Sequence, residues 1–487
     1  MTTMAYERDS LYIDGQWRRP SEGGSASVVS PTTEQAIGTI PIAGAKDVDD
    51  AVAAAGRALR SPDWGGLTGE SRAPLLLRLA AELEANAADR AALTSRQNGM
   101  PIVVATAAEG AGPVGLLQYY AALAAGTPAE EVRPRLDGQG RTIVRREPVG
   151  VVAAIVPWNF PQVLTMFKLA PALAAGCTVV LKPAPETTLD ALELAVAAER
   201  AGIPAGVLNV VTGGAEVGEH LVAHPGVHKV AFTGSTAAGR RIGEVCGRLV
   251  RPVTLELGGK SAAIVLDDAD LATTVAGLAT SALLNNGQTC YLSTRILAPR
   301  SRHDEVLAAV AGLADTLRVG DPLDTATLVG PLVSARQRDR VDSYIAQGKA
   351  SGATLAAGGT RPDQDRGWFV RPTVFGGVSN DDAIAREEIF GPVLAVIPYD
   401  GIDEAVAIAN DSDYGLGGTV WTTDVEKGLD VARRVETGTI GVNFYDLDAG
   451  APFGGVKASG VGRELGPEGL ASYQQLKAIY LPGETPA

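Results

Sequence analysis

From Gly150 onward the sequence predicts an α/β fold with a parallel, doubly wound sheet. Two observations carry this. Short apolar runs alternate with helical segments, the rhythm of successive βαβ units. The runs are also apolar at nearly every position, as strands covered on both faces must be.

The first strand is "GVVAAIVP" (150–157), followed by a helix from Gln162 to about Ala174. Then come "TVVLKPA" (178–184), a helix through "LDALELAVAAERAG", "VLNVVTG" (207–213), a short helix near 215–223 and "KVAFTG" (229–234). A further helix begins around Thr236, and "PVTLEL" (252–257) follows it. Such sheets bind ligands at the carboxyl ends of their strands. Those ends here carry "PWNFP", "KPAPE", "FTGSTAAG" and "LELGGKS". A second α/β pattern starts after 258 with "SAAIVL", "RILAPR", "LAVIPY" and "GGTVWT". The segments "RTIVRREPVG" (141–150) and "QQLKAIYLP" (474–482) read as strands outside either sheet, and a neighbouring subunit is the expected source of their partners. In the apolar stretch 102–126, Glu109 and the Gly-Ala-Gly-Pro break at 110–113 predict two short buried helices rather than a membrane span.

At 487 residues the length suggests two or three domains, and 46% hydrophobic residues suffice for sizeable cores. A net charge of −14 argues against a nucleic-acid partner, because no basic excess exists to neutralise phosphates. Three cysteines, none in a CxxC pair, fit a reducing compartment, and the N-terminus has no apolar core of a signal peptide; a cytoplasmic protein is expected. The four histidines form no metal-ligand spacing, so no metal is expected.

The stretch "NNGQTCYLS" (285–293) sets Cys290 after an amide-rich turn. An unpaired cysteine is usually a small buried hydrophobe, so a catalytic reading needs a base and an oxyanion donor as well. Glu256 ends an apolar strand, where a carboxylate is costly unless solvated, paired or used. Asn159, between two prolines at a strand end, offers an amide that could meet an oxyanion or close a turn. "FTGSTAAG" joins a strand to a helix, so its N–H groups could meet a phosphate, although glycine there is as often structural. "LGGKS" is no P-loop, because Thr254 stands where that motif needs glycine.

The ordered set "PWNFP", "KPAPE", "FTGST", "LELGGKS", "NNGQTC", "EEIFGPV", "VNFYD" and "PFGGVKASGVGREL" resembles the NAD(P)-dependent aldehyde dehydrogenase superfamily over nearly the whole chain. The resemblance implies a Rossmann-like coenzyme domain (1–126 and 149–257), an α/β catalytic domain (258–456), and a small oligomerisation β-flap with a C-terminal tail (127–148 and 457–487). It implies oxidation of an aldehyde to a carboxylic acid through a thiohemiacetal on Cys290. The Asn159 amide and the Cys290 N–H would hold the oxyanion, and Glu256 would activate the water that hydrolyses the thioester. A homodimer or homotetramer is implied as well.

By motif position, Trp158, Lys182, Gly234, Ser235, Leu257, Glu388 and Phe390 would bind the cofactor. Phe160, Leu164, Phe167, Thr289, Tyr291 and Phe453 would line the aldehyde tunnel, with Leu284 equally at home in the core. These are mostly apolar or aromatic, suiting a medium aliphatic, terpenoid or aromatic aldehyde. Without a tryptophan in 443–452, a betaine-aldehyde specialist ranks low. Lys168 and Glu464 match buried residues sometimes assigned to a proton path. One departure concerns the cofactor: many members read Lys-Pro-Ser-Glu, whereas Pro185 occupies the glutamate position here and Glu186 follows it. NAD is the expected cofactor, with NADP left open. The rival readings are a CoA-acylating semialdehyde dehydrogenase, disfavoured by the presence of Glu256, and a non-catalytic binding protein of the same fold, disfavoured by the intact Cys290, Glu256 and Asn159.

Overall fold

The structure is a computed structural model, and it describes residues 6–482. Residues 1–5 and 483–487, which the expected domain bounds and the N-terminal reading include, lie outside the described residues.

Five parallel strands form the centre of the first sheet, in the order Val253–Glu256, Lys229–Thr233, Val151–Ile155, Thr178–Lys182 and Leu208–Val210. The side chains of Val151, Ala153, Ile155 and Val180 enter one apolar core. Those of Val152, Ala154, Val179 and Leu181 enter another on the opposite face, as the two-residue period of a strand requires. All five residues of Val151–Ile155 are buried, which is why the run contains no polar residue. From Val151–Ile155 the chain first winds toward Leu208–Val210, then returns to build Lys229–Thr233 on the other flank. The reversal opens a crevice between Val151–Ile155 and Lys229–Thr233, at their carboxyl ends.

The helix that leaves this crevice, Pro161–Ala175, starts with proline in its first turn, where a missing N–H costs nothing. It stops at Gly176, whose left-handed φ of 92° lets the Gly176 and Cys177 N–H groups reach back to Leu173 and Ala172. Helix Thr236–Arg248 begins on Ser235, whose hydroxyl accepts the Ala238 N–H at 3.3 Å.

A second sheet of seven strands follows in the order Thr354–Ala357, Thr373–Gly376, Val393–Tyr399, Arg295–Pro299, Ala262–Val265, Gly418–Trp421 and Gly441–Val442. Only its first pair is antiparallel. No helix of the described residues is long and apolar enough to cross a membrane.

Two expectations need correction. The strands Arg141–Pro148 and Gln474–Leu481 find their partners within this chain: they pair antiparallel with each other over eight residues, and Glu130–Pro134 adds a third strand. Their separation by more than 300 residues hid the partnership. Gly460–Val461 pairs antiparallel with Val253–Glu256 and so extends the first sheet. Finally, 102–126 is not two buried helices. It is one helical path with a π-turn at Thr106–Ala111, and Val103 on it is exposed. The wider turn accommodates Pro113, which cannot donate to the carbonyl four residues back.

Candidate active site

The crevice at the strand reversal holds a cavity of about 420 Å³. Trp158 and Asn159 reach it from the first strand, Gly234 and Ser235 from the Lys229–Thr233 strand, and Leu257 from Val253–Glu256. Cys290, Glu388 and Phe390 line it from the other half of the molecule. Eight of the residues picked out by motif therefore share one cavity, although they span 233 positions from Trp158 to Phe390, counted inclusively.

The cysteine turn is joined directly to the asparagine loop. Asn159 is 3% exposed and donates its side-chain amide to the Gln288 carbonyl at 3.0 Å. Burial, then the carboxylates of Glu256 and Glu388, push the Cys290 thiol well above its ordinary range. Glu256 is 2% exposed, and neither carboxylate oxygen has a hydrogen-bond partner. Burial and then the neighbouring Glu464 hold its carboxyl above the usual range, while Lys168 and Arg463 oppose them. A buried carboxylate without partners is expensive and is found mainly where chemistry uses it. Cys177 and Cys246 are fully buried among apolar residues, Cys177 in one core and Cys246 in another.

Glu388 accepts the Gly259 N–H at 3.0 Å, and burial lifts its carboxyl to about 7. The paired glycines have a steric reason: a methyl group on Gly258 would overlap the Glu388 carboxylate, and one on Gly259 the Cys290 carbonyl. Phe390 adopts a left-handed φ of 61° and meets Trp158 edge to face, centroids 5.3 Å apart. Gln337 donates to the Phe390 carbonyl at 2.8 Å and Arg340 to the Glu388 carbonyl at 2.5 Å. Both line the cavity, as does Tyr414; the sequence reading missed all three. The polar run "SARQRDR" (334–340), which holds Gln337 and Arg340, gave no cue beyond an exposed helix face.

Lys182 lies further along the first sheet, 6% exposed, with burial lowering its ammonium to about 8 against the pull of Glu186 and Glu216. Glu186 stands 3.7 Å from Arg336, so its carboxylate acts on two cations.

On the other side of Cys290, Phe167, Tyr291 and Phe453 pack together, with centroids 6.3 Å apart for Phe167–Phe453 and 6.4 Å for Tyr291–Phe453. Tyr445 stacks on Tyr291 at 4.9 Å, a fourth aromatic that the quoted "VNFYD" contained but the reading did not single out. Tyr445 and Phe453 also line a 280 Å³ cavity together with Phe444, Leu447, Asp446 and Asp448. Leu164 and Phe160 are buried in the same core, and Leu284 packs against it. Thr289 is set apart from this aromatic group: its hydroxyl donates to the Leu284 carbonyl at 3.3 Å, and it lines a small space beneath Glu388.

The chain belongs to the aldehyde dehydrogenase family, whose model, described as "Aldehyde dehydrogenase family", matches residues 17–479. It is 56% identical over 480 residues to the geranial dehydrogenase of Castellaniella defragrans, covering 99% of this chain and all of that one. Among solved structures it superposes on a Mycobacterium tuberculosis aldehyde dehydrogenase complexed with NAD+, at a TM-score of 0.96 and 47% identity, covering 99% of this chain and 100% of that one. It is similar too to a cysteine-to-alanine variant of aldehyde dehydrogenase C from Pseudomonas syringae, complexed with NAD+ and octanal: TM-score 0.94, 41% identity, covering 99% and 98%. The protein is an enzyme that oxidises aldehydes to carboxylic acids.

Proposed function

We propose that the enzyme uses NAD to oxidise apolar aldehydes, with Cys290 as nucleophile, Asn159 as oxyanion donor and Glu256 as the base for hydrolysis. The observation that carries the reading is the buried Glu256 carboxylate, bare of partners yet near enough to Cys290 to raise its thiol.

The 420 Å³ crevice fits a dinucleotide by its chemistry: the N-terminus of Thr236–Arg248 behind Ser235 suits a pyrophosphate, and the Glu388 carboxylate suits ribose hydroxyls. Lys182 would serve the adenosine ribose, with Trp158, Leu257 and Phe390 as apolar walls. Bound there, NAD supplies the hydride acceptor. The Cys290 thiolate adds to the aldehyde carbon, and the carbonyl oxygen becomes an oxyanion held by the Asn159 amide and the Cys290 N–H. Such a donor contributes about 3–4 kcal/mol in comparable sites. Loss of hydride from that carbon leaves a thioester on Sγ. Glu256, ionised, takes a proton from the water that attacks the thioester; the adduct collapses to the acid and the Cys290 thiolate, and the proton passes from Glu256 to solvent.

The aromatic wall of Phe167, Tyr291, Tyr445 and Phe453 supports an apolar chain or ring as substrate, in keeping with the geranial dehydrogenase and the octanal complex among the relatives. Exposed Val132, Leu476 and Tyr480 on the three-stranded sheet support self-association into a homo-oligomer. In this reading that sheet serves assembly, the first sheet the coenzyme and the second the catalytic cysteine. Three unpaired thiols support a cytoplasmic setting. The test is turnover: NADH should form with octanal or geranial, without CoA and with the free acid as product. An absolute CoA requirement, or no turnover across an aldehyde panel with NAD bound, would overturn the proposal.

A further inference from the structure

The loop 157–160 and the turn 284–288 are tied together in both directions. Asn159 donates its amide to the Gln288 carbonyl at 3.0 Å, and Asn285 donates its own amide to the Asn159 carbonyl at 2.9 Å. Asn98 closes on the same carbonyl at 3.2 Å and also holds that of Trp158 at 3.1 Å. A side-chain amide has two hydrogens. With one committed to Gln288, the direction of the other is fixed.

The turn is unusual in its backbone. Asn285, Asn286 and Gly287 follow one another at φ values of 51°, 62° and 75°, all left-handed. Both asparagines are buried, at 1% and 0% exposure. Asn286 uses its whole amide on the scaffold: it donates to the Gly99 and Pro331 carbonyls at 2.9 and 3.0 Å and accepts the Gly330 N–H at 2.6 Å. Through Gly99 the turn is anchored to the same helix end that Asn98 terminates. Asn285 differs from its neighbour. Its Nδ2 holds Asn159, but its Oδ1 is buried with no partner. An oxygen left unsatisfied in a dry interior is a cost. The left-handed backbone alone would be met by glycine, without that cost. What glycine lacks is the donor.

We propose that Asn285 is a positioning residue for the oxyanion site: with Asn98 it clamps the Asn159 carbonyl and thereby aims the free amide hydrogen of Asn159 beside Cys290. The inference rests on the reading of Asn159 as oxyanion donor given above.

The test is Asn285→Gly, which keeps the left-handed turn and removes only the amide. Pre-steady-state formation of NADH with saturating NAD and octanal reads the first chemical step. Misplacing a reacting group by a fraction of an ångström costs about 10- to 100-fold, and that fall in the burst rate constant is expected, with NAD affinity unchanged. In the double variant with Asn159→Ala the burst should be no slower than in Asn159→Ala alone, because the clamp then has nothing to aim. A merely structural role would lower thermal stability and slow the double variant further. A wild-type burst in Asn285→Gly beside a slow Asn159→Ala overturns the clamp alone; losses that multiply in full overturn it as well. A normal burst in Asn159→Ala overturns the oxyanion reading, and the clamp with it. Asn285→Asp, nearly the same shape without amide hydrogens, answers the same question if the glycine variant does not fold.

Discussion

Lys168 and Glu464 form an ion pair, Nζ to Oε1 2.8 Å, with side chains 0% and 1% exposed. The lysine also donates to Thr233 Oγ1 at 2.6 Å. Behind burial, Glu464 is the leading charge that raises Glu256. A general base works only when ionised, so a raised carboxyl moves the onset of hydrolysis to higher pH.

Glu464→Gln removes the nearby negative charge and should lower the Glu256 carboxyl. The acid limb of kcat should therefore shift to lower pH, measured under conditions where thioester hydrolysis limits turnover. An unmoved limb would separate Glu464 from the base. Removing the other partner, as in Lys168→Met, leaves a buried carboxylate alone and should cost about 3–5 kcal/mol of stability by denaturant unfolding.

The five parallel strands of the first sheet were legible because βαβ units announce themselves locally: the ends of each run in the sequence lie within three residues of those of an observed strand. Much of the site followed, since Trp158, Asn159, Gly234, Leu257 and Cys290 sit on the carboxyl ends of strands or in turns with glycine and asparagine. What stayed hidden depends on distant pairing. Nothing near Arg141 or Gln474 marks them as partners, and nothing in "SARQRDR" shows that Gln337 and Arg340 support the backbone at Phe390 and Glu388. The π-turn at 106–111 was hidden for another reason. A proline in a helical pattern signals a break, but a bulge relieves the same clash without one.

The three thiols should behave differently. Cys290→Ala should abolish turnover with NAD affinity retained, whereas Cys177→Ala and Cys246→Ala, both core substitutions, should cost about 1–2 kcal/mol of stability and leave the chemistry intact. Because burial and the carboxylates of Glu256 and Glu388 raise the Cys290 thiol, its alkylation by iodoacetamide in the free enzyme should climb about tenfold per pH unit through pH 9. Glu256→Gln should speed it at fixed pH. An alkylation rate flat between pH 7 and 9 would contradict the environment described for the thiol.

Glu186 is the residue on which the expected cofactor choice is tested. Pro185 leaves no carboxylate where many members carry one, but Glu186 acts on Lys182 and lies beside Arg336. NAD should be the working cofactor with measurable NADP turnover, the carboxylate disfavouring a 2′-phosphate by charge. In Glu186→Gln the ratio of kcat/KM for NAD over NADP should fall. An unchanged ratio removes Glu186 from cofactor selection, and NADP preference in the wild type reverses the expectation.

The most direct measurement of the central claim uses Glu256→Gln with saturating NAD and octanal, following NADH by stopped flow and the protein by intact mass. The variant keeps the proposed nucleophile Cys290 and oxyanion donor Asn159 and lacks only the proposed base. The expected result is one NADH per active site, then a stall, with an octanoyl group carried on Cys290. Full steady-state turnover would show that Glu256 is not the hydrolytic base, and an acyl group on any other residue would show that Cys290 is not the nucleophile.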